Sequence, residues 1–183
     1  MKWHTWVLIT IAAIIALPLI IALFAGKDYA LEREITINRS KDQVFEYIRH
    51  LENQTNYSKW GELDPDAIYT YTGVDGTVGF VSAWEGNKDV GRGEQEITRI
   101  IEGERVETQI RFFEPFKAVS EAYMTTESIG ENQTRLNWGF SGRMPWPMNL
   151  FLLVMSMEDN LGADYEYGLE KIKNILESQD VES

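Results

Sequence analysis

The sequence predicts an α+β protein: a curved, seven-stranded antiparallel sheet wrapped around a long C-terminal helix, preceded by one transmembrane helix. Three observations predict it. An uncharged, mostly apolar run extends from Thr5 to Gly26. Strand-like runs separated by tight turns follow one another between residues 67 and 142. Apolar residues then recur every three or four positions from Met157 to Leu176, the period of a helix. Short, regular connections make consecutive strands antiparallel, and such a sheet needs one face covered.

The N-terminal run is rich in Ile, Leu, Ala and Val. About 20 apolar residues in a helix cross the ~30 Å hydrocarbon layer. Trp3 and Trp6 sit where an interfacial aromatic belt falls, and Pro18 is tolerated in a membrane helix. A cleaved signal peptide has a shorter core, ~7–15 residues, and ends in a small-residue site; Leu23-Phe24-Ala25 matches that poorly. Residues 1–26 therefore read as an anchor that contacts the membrane through 5–25. Residues 27–30 read as a linker, 31–178 as the folded domain and 179–183 as a polar tail. Lys2 and the α-amino group precede the span, and Lys27 and Arg33 follow it among acidic residues. This places the N-terminus inside and the domain on the extracytoplasmic side of a single-pass protein.

Residues 31–37 alternate apolar and polar, as a half-buried strand does. Ser40 and Gln43 have capping-box spacing. Val44, Phe45, Ile48 and Leu51 then mark a short amphipathic helix over 41–51. Residues 53–66 read as irregular and polar. Six strands follow, at 67–72, 77–85, 91–101, 105–113, 117–128 and 133–142, and the breaks between them are rich in Gly, Asn, Asp and Pro. After Pro145 and Pro147 comes a short apolar segment, 148–155. Ser156 and Asp159 then open the last helix. Gly162 and Gly168 each cost about 1 kcal/mol relative to Ala inside a helix, which points to close approach of another element.

Composition narrows the function. The chain has 17 basic and 29 acidic residues, a formal charge of −12, and Lys2 is the only formally charged side chain before Lys27. The excess acid thus falls on the domain and repels phosphate backbones, so no nucleic-acid partner is expected. Cysteine is absent, which removes thiolate nucleophiles and Cys-ligated metals. The domain's one histidine, His50, lies off the apolar helix face, so a Ser-His-Asp relay or a multi-histidine metal site is not expected in a monomer. No metal and no cofactor is implied. Any acid or base would be a carboxylate, Tyr or Lys. Glu85 is one candidate near a cavity mouth, although a turn carboxylate is more often simply solvated. No catalytic residue is assigned.

The order of elements resembles the helix-grip fold of the START/polyketide cyclase-dehydrase (SRPBCC) superfamily, in particular its membrane-anchored members. The resemblance runs over residues 31–177. It is carried by Ser58-Lys59-Trp60 with Asp64-Pro65, by Trp84-Glu85-Gly86-Asn87-Lys88, by Phe113-Glu114-Pro115-Phe116, by Leu136 to Gly142 and by Gly162 to Leu169. It implies a deep cavity between the sheet and the long helix.

Alternation and helical spacing select a wall for that cavity: Phe80 and Trp84, Ile110 and Phe112, Ala122 and Met124, Trp138 and Phe140, with Met157, Leu161 and Tyr165 from the helix. The same residues could close into a solid core. The leading reading is binding or transfer of a small hydrophobic, lipid- or polyketide-like molecule near the membrane. The alternatives are a protein-interaction domain with a filled core and a cyclase or dehydratase whose buried Tyr, Asp or Glu act as acid and base. Protein partners are not specified by the sequence.

Overall fold

The computed structural model describes residues 3–178. Lys2, used above for orientation, and the tail 179–183 lie outside the described residues. The apolar run forms one helix, α1 (Trp3–Phe24), with Pro18 inside it. Strand β1 (Asp28–Ile37) starts almost at once. It begins earlier than residue 31 because Asp28, Tyr29 and Ala30 pair with Arg143, Gly142 and Ser141 of the last strand. The stretch expected as a linker, 27–30, is therefore mostly sheet.

Helix α2 (Lys41–Ile48) carries the expected capping box: the Ser40 hydroxyl accepts from the Gln43 amide, and the Gln43 side chain accepts from the Ser40 amide. The helix stops at Ile48, short of residue 51. A 3₁₀ turn (Leu51–Asn53) follows, then two short helices where irregular chain was expected: α3 (Gln54–Tyr57) and α4 (Lys59–Leu63). Side chains restart the helical turns. Asp75 accepts from the amides of Leu51 and Glu52 at 2.9 and 3.3 Å, and the Ser58 hydroxyl accepts from the Trp60 amide at 3.3 Å.

The remaining strands are β2 (Ile68–Thr72), β3 (Val81–Glu85), β4 (Arg92–Ile101), β5 (Arg105–Glu114), β6 (Ala118–Gly130) and β7 (Gln133–Arg143). The sheet order is β1-β7-β6-β5-β4-β3-β2, so the first strand closes beside the last. All neighbours are antiparallel. β3 starts at Val81 instead of residue 77 because Gly79 takes a φ of +90° and Phe80 N–H bonds back to Thr77 in a turn. A register shift between Ile97 and Arg99 bulges β4 against β5, the device that bends a strand.

A 3₁₀ segment (Met148–Leu153) leads into α5 (Met157–Ser178), whose first turn receives the Ser156 hydroxyl as cap for Asp159 N–H. Tyr165, Leu169, Ile172 and Leu176 of α5 bury one face in a core with Leu31, Ile37, Val44, Ile48, Leu136 and Trp138. Each fully buried aliphatic side chain stabilises by about 1.5–3 kcal/mol. Close approach accounts for Gly168, while Gly162 faces only the movable end of the Arg33 side chain. A Cβ on Gly162 would meet the Arg33 guanidinium at 2.5 Å, and one on Gly168 would meet the Trp138 ring at 2.7 Å. A separate cluster of Phe45, Leu51, Phe80, Ile97 and Val106 plugs the far end of the sheet.

Candidate functional site

Between the sheet and α5 the core is not filled. A cavity of about 330 Å³ remains, inside the usual size range of small-molecule sites. Strand pairing explains its wall. Tyr69 lies opposite Trp84, Trp84 opposite Gly93, and Ser82 opposite Gln95. Gln95 in turn faces Ile110, so these side chains form adjacent rows on the inner surface. Gly93 has no side chain to compete for the space: the Trp84 indole crosses it, where a Cβ would lie 2.5 Å from the ring. Trp84 then meets Phe112 edge-on at 6.0 Å.

On the far side, Ala122 pairs with Phe140, and a small residue at that point leaves room in front of the strand. Trp138, Phe140 and Trp60 all pack around the Tyr165 ring, at 4.3, 6.2 and 6.1 Å between centroids. α5 adds Leu161, and the short helices add Gln54, Thr55, Ser58 and Trp60. Exposed Asp89, in the β3–β4 connection, and Glu114 and Pro115, where β5 ends and the β5–β6 connection begins, stand at the rim.

The structure brings Trp84, Ile110, Phe112, Ala122, Trp138, Phe140, Leu161 and Tyr165 together around this space. It separates three other expected wall residues from it. Phe80 belongs to the plug at the closed end, packed with Phe45 and Ile97. Met124 lies one pair deeper along β6 than Ala122, beside Ile48 and Tyr57, where only a void of about 20 Å³ is left. Met157, the first residue of α5, sits one turn before the wall at Leu161 and does not reach it. Glu85 does not line the cavity; Asp89 and Glu114 are the carboxylates at the rim.

Polar wall residues went unread because the wall was selected by apolar alternation. Ser82 and Gln95 lie on the inner face by parity, and both are buried. Gln95 donates to the Thr108 hydroxyl at 2.9 Å, which fixes its amide at the cavity floor. Trp60 had a signal, the Ser58-Lys59-Trp60 motif, but no helical pattern to place it.

Titration follows from burial. Desolvation holds the Tyr165 phenol above its ordinary range, with proximity to Tyr29 adding to the effect. Desolvation likewise raises Tyr69, ahead of the influence of Asp64. Both phenols are neutral at physiological pH and offer O–H groups, not phenolate bases. Among the described residues, no hydrogen-bond partner is found for the Tyr165 hydroxyl. The buried part of the wall contains no carboxylate and no cationic side chain. The site is chemically an apolar, aromatic chamber with a few neutral hydrogen-bonding groups and an acidic rim.

A curved antiparallel sheet gripping a C-terminal helix over such a chamber defines a helix-grip protein of the START/polyketide-cyclase superfamily. The chain belongs, more narrowly, to the polyketide cyclase/dehydrase and lipid transport family, whose model matches residues 29–177. Solved structures share the fold at low identity. Norcoclaurine synthase from Thalictrum flavum, in complex with dopamine and hydroxybenzaldehyde, is 14% identical with a TM-score of 0.56, over 86% of this chain and 92% of that one. The protein XoxI from Bacillus cereus is 13% identical with a TM-score of 0.58, over 82% and 97%. The Aha1 protein from Colwellia psychrerythraea, solved as a dimer, is 15% identical with a TM-score of 0.55, over 81% and 96%. No curated protein sequence matches the chain.

Proposed function

We infer that this protein binds a small hydrophobic, lipid- or polyketide-like molecule in the chamber beneath α5, and carries or presents it close to a membrane. The observation that carries the reading is the open space itself. About 330 Å³ stays unfilled although Trp60, Trp84, Phe112, Trp138 and Phe140 surround it. A domain selected only for a filled core packs to crystal-like density. The wall composition fits the ligand class: aromatic faces for apolar contact, with Gln95, Ser82 and Tyr69 to orient one polar end. The family description includes lipid transport, and norcoclaurine synthase shows that this fold accommodates small aromatic molecules.

The tether belongs to the same reading. α1 is long and apolar enough to cross a membrane, and its side chains are almost all exposed. The Asn149 amide, fully buried, donates to the carbonyls of Ala22 and Ala25 at 2.8 and 3.2 Å. Cleavage of the helix as a leader would strip that buried donor of its acceptors, which supports retention of α1 as an anchor. The domain is then held on the extracytoplasmic side by the charge rule.

The test is titration of the full chain in mild detergent with the neutral fluorophore N-phenyl-1-naphthylamine, followed by displacement with a total lipid extract. Saturable enhancement, reversed by lipid, is the expected result. A linear, unsaturable signal matching detergent alone would remove the binding reading.

A further inference from the structure

The strand register sorts the connections of this sheet to its two ends. Asp28 pairs with Arg143, Gly142 with Ser120, Phe112 with Ala118, Glu114 with Arg92, Arg92 with Glu85, and Glu85 with Ile68. These pairs form one continuous end of the sheet. The rim residues lie on that end: Asp89, Val90 and Pro115 in its connections, and Glu114 as the last residue of β5. So does Asp28, where α1 joins the domain. The cavity mouth and the membrane helix therefore leave the sheet on the same side.

A third feature shares this side. From Met144 to Met157 the chain carries no charge. Trp146, Met148, Phe151, Leu153, Val154 and Met155 are exposed, Val154 by 81%. A patch of that kind on a domain otherwise rich in acid marks an interaction surface. Its position is fixed by bonds to α1. The Trp146 indole N–H donates to the carbonyl of Leu19 at 3.1 Å, and Asn149 holds the carbonyls of Ala22 and Ala25. Leu19 lies five residues before the end of α1 at Phe24, about 7 Å back along the helix at ~1.5 Å per residue. A segment bonded there cannot stand clear of a bilayer that α1 crosses.

Resting on the reading of α1 as a membrane span, we propose that residues 146–155 form an apolar wedge seated in the headgroup–acyl boundary of the bilayer, and that it holds the cavity mouth against the lipid surface. The occupant of the exposed patch is lipid. Trp146 supplies the interfacial aromatic, and Phe151, Leu153 and Val154 supply the buried apolar area. Attachment is apolar and not electrostatic, as the acidic domain requires. Ligand then passes between the acyl region and the chamber without crossing bulk water.

Because the chain has no cysteine, single cysteines labelled with bimane report depth directly. Full-length protein carrying Phe151→Cys, Val154→Cys, Phe116→Cys, Ile14→Cys or Glu131→Cys is placed in phosphatidylcholine nanodiscs. Spin labels are then carried either on the acyl chain or on the headgroup. These positions are all exposed or in a turn, and near-UV circular dichroism checks that each variant is folded. Expected is at least a twofold loss of emission for the labels at 151 and 154 with the acyl spin label, and for 116, beside the mouth, with the headgroup spin label. Position 131, in the turn at the opposite end of the sheet, answers only to aqueous iodide. If the label at 14 is quenched from the acyl chain while 151 and 154 behave like 131, the wedge is overturned and the span stands. If 116 alone escapes the headgroup label, the mouth does not face lipid. If 14 escapes as well, α1 is not a span, and the anchor reading and this inference both fall.

Discussion

Trp138 on β7 and Gly168 on α5 meet with no room for a methyl group: a Cβ on Gly168 would lie 2.7 Å from the indole ring and 3.3 Å from the carbonyl oxygen of Tyr57. This contact sets how closely the helix approaches the sheet, and so where the cavity stops. Toward the C-terminus of α5 the interface is solid, through Leu169, Ile172 and Leu176. Toward the N-terminus, past Tyr165 and Leu161, it opens.

Gly168→Ala should therefore destabilise the fold despite the better helix former. Alanine gains about 1 kcal/mol in propensity, while forcing a side chain into a packed site costs roughly 1–3 kcal/mol. The net expectation is a loss of about 1 kcal/mol, which lowers the melting temperature by roughly 2–4 °C in a domain of this size. Thermal unfolding of the full chain in detergent, followed by near-UV circular dichroism, measures it. A melting temperature equal to or above that of the parent would mean that the helix has slack at this point.

Filling the chamber should weaken binding without unfolding the protein. Ala122 lies on the cavity wall, paired with Phe140, and its side chain faces free space. Ala122→Phe places a ring there. N-phenyl-1-naphthylamine affinity should fall at least tenfold, about 1.4 kcal/mol, with the melting temperature nearly unchanged. Thr70→Phe, on the outer edge strand β2 and exposed, is the matched control and should leave affinity unaltered. Equal affinity in both variants would place the probe elsewhere on the protein.

What was legible in the sequence follows from the range of the interactions involved. Trp138 and Phe140 were readable because strand parity and hydrophobicity agree on β7. Phe80 shares the parity of Trp84, but parity does not say how far along the groove a residue lies, and Phe45 and Leu51 reach over to plug its end. Gln95 and Ser82 are wall residues that a search for apolar alternation passes over. Trp60 rides on a helix of five residues capped by one serine, too short for periodicity to reveal. The bonds from Trp146 and Asn149 to α1 join positions 127 residues apart. No local pattern encodes such a contact, although the apolar segment 148–155 that holds Asn149 was visible.

A polar clasp on the outside of the chamber should give the stability a specific acid dependence. Glu62 of α4 is bound by Lys171, by the Tyr167 hydroxyl at 2.6 Å and by Lys59 at 3.2 Å. These bonds, Lys171 first, push its carboxyl down to about 2. A carboxyl depressed in the folded state stabilises while ionised, so its contribution is complete above the ordinary value near 4.5 and is lost as the pH falls toward 2. Glu62→Gln should lower the melting temperature at pH 7, and the gap to the parent should close between about pH 4.5 and pH 2. A gap that persists at pH 2 would assign the loss to packing and not to charge.

The junction between α1 and the domain offers the sharpest substitution. The last carbonyls of any helix lack partners within it, and here the Asn149 amide nitrogen serves Ala22 and Ala25. The Asn149 side-chain oxygen, buried as well, has no hydrogen-bond partner among the described residues, so the side chain acts here through what it donates. Asn149→Ala removes the donor and leaves buried carbonyls unpaired, a loss of about 1–3 kcal/mol. Asn149→Asp keeps the shape but turns the donor into a third acceptor, at the negative end of the α1 dipole, where an added negative charge is unfavourable. The expected order of stability is parent, then Ala, then Asp, with Asp improving as acid protonates it. Limited proteolysis of the full chain in detergent, read at the 24–28 junction, measures it: cleavage should quicken in the same order. If both variants were cut no faster than the parent, the amide would not be holding the helix end, and the wedge would have only Trp146 to tie it to α1.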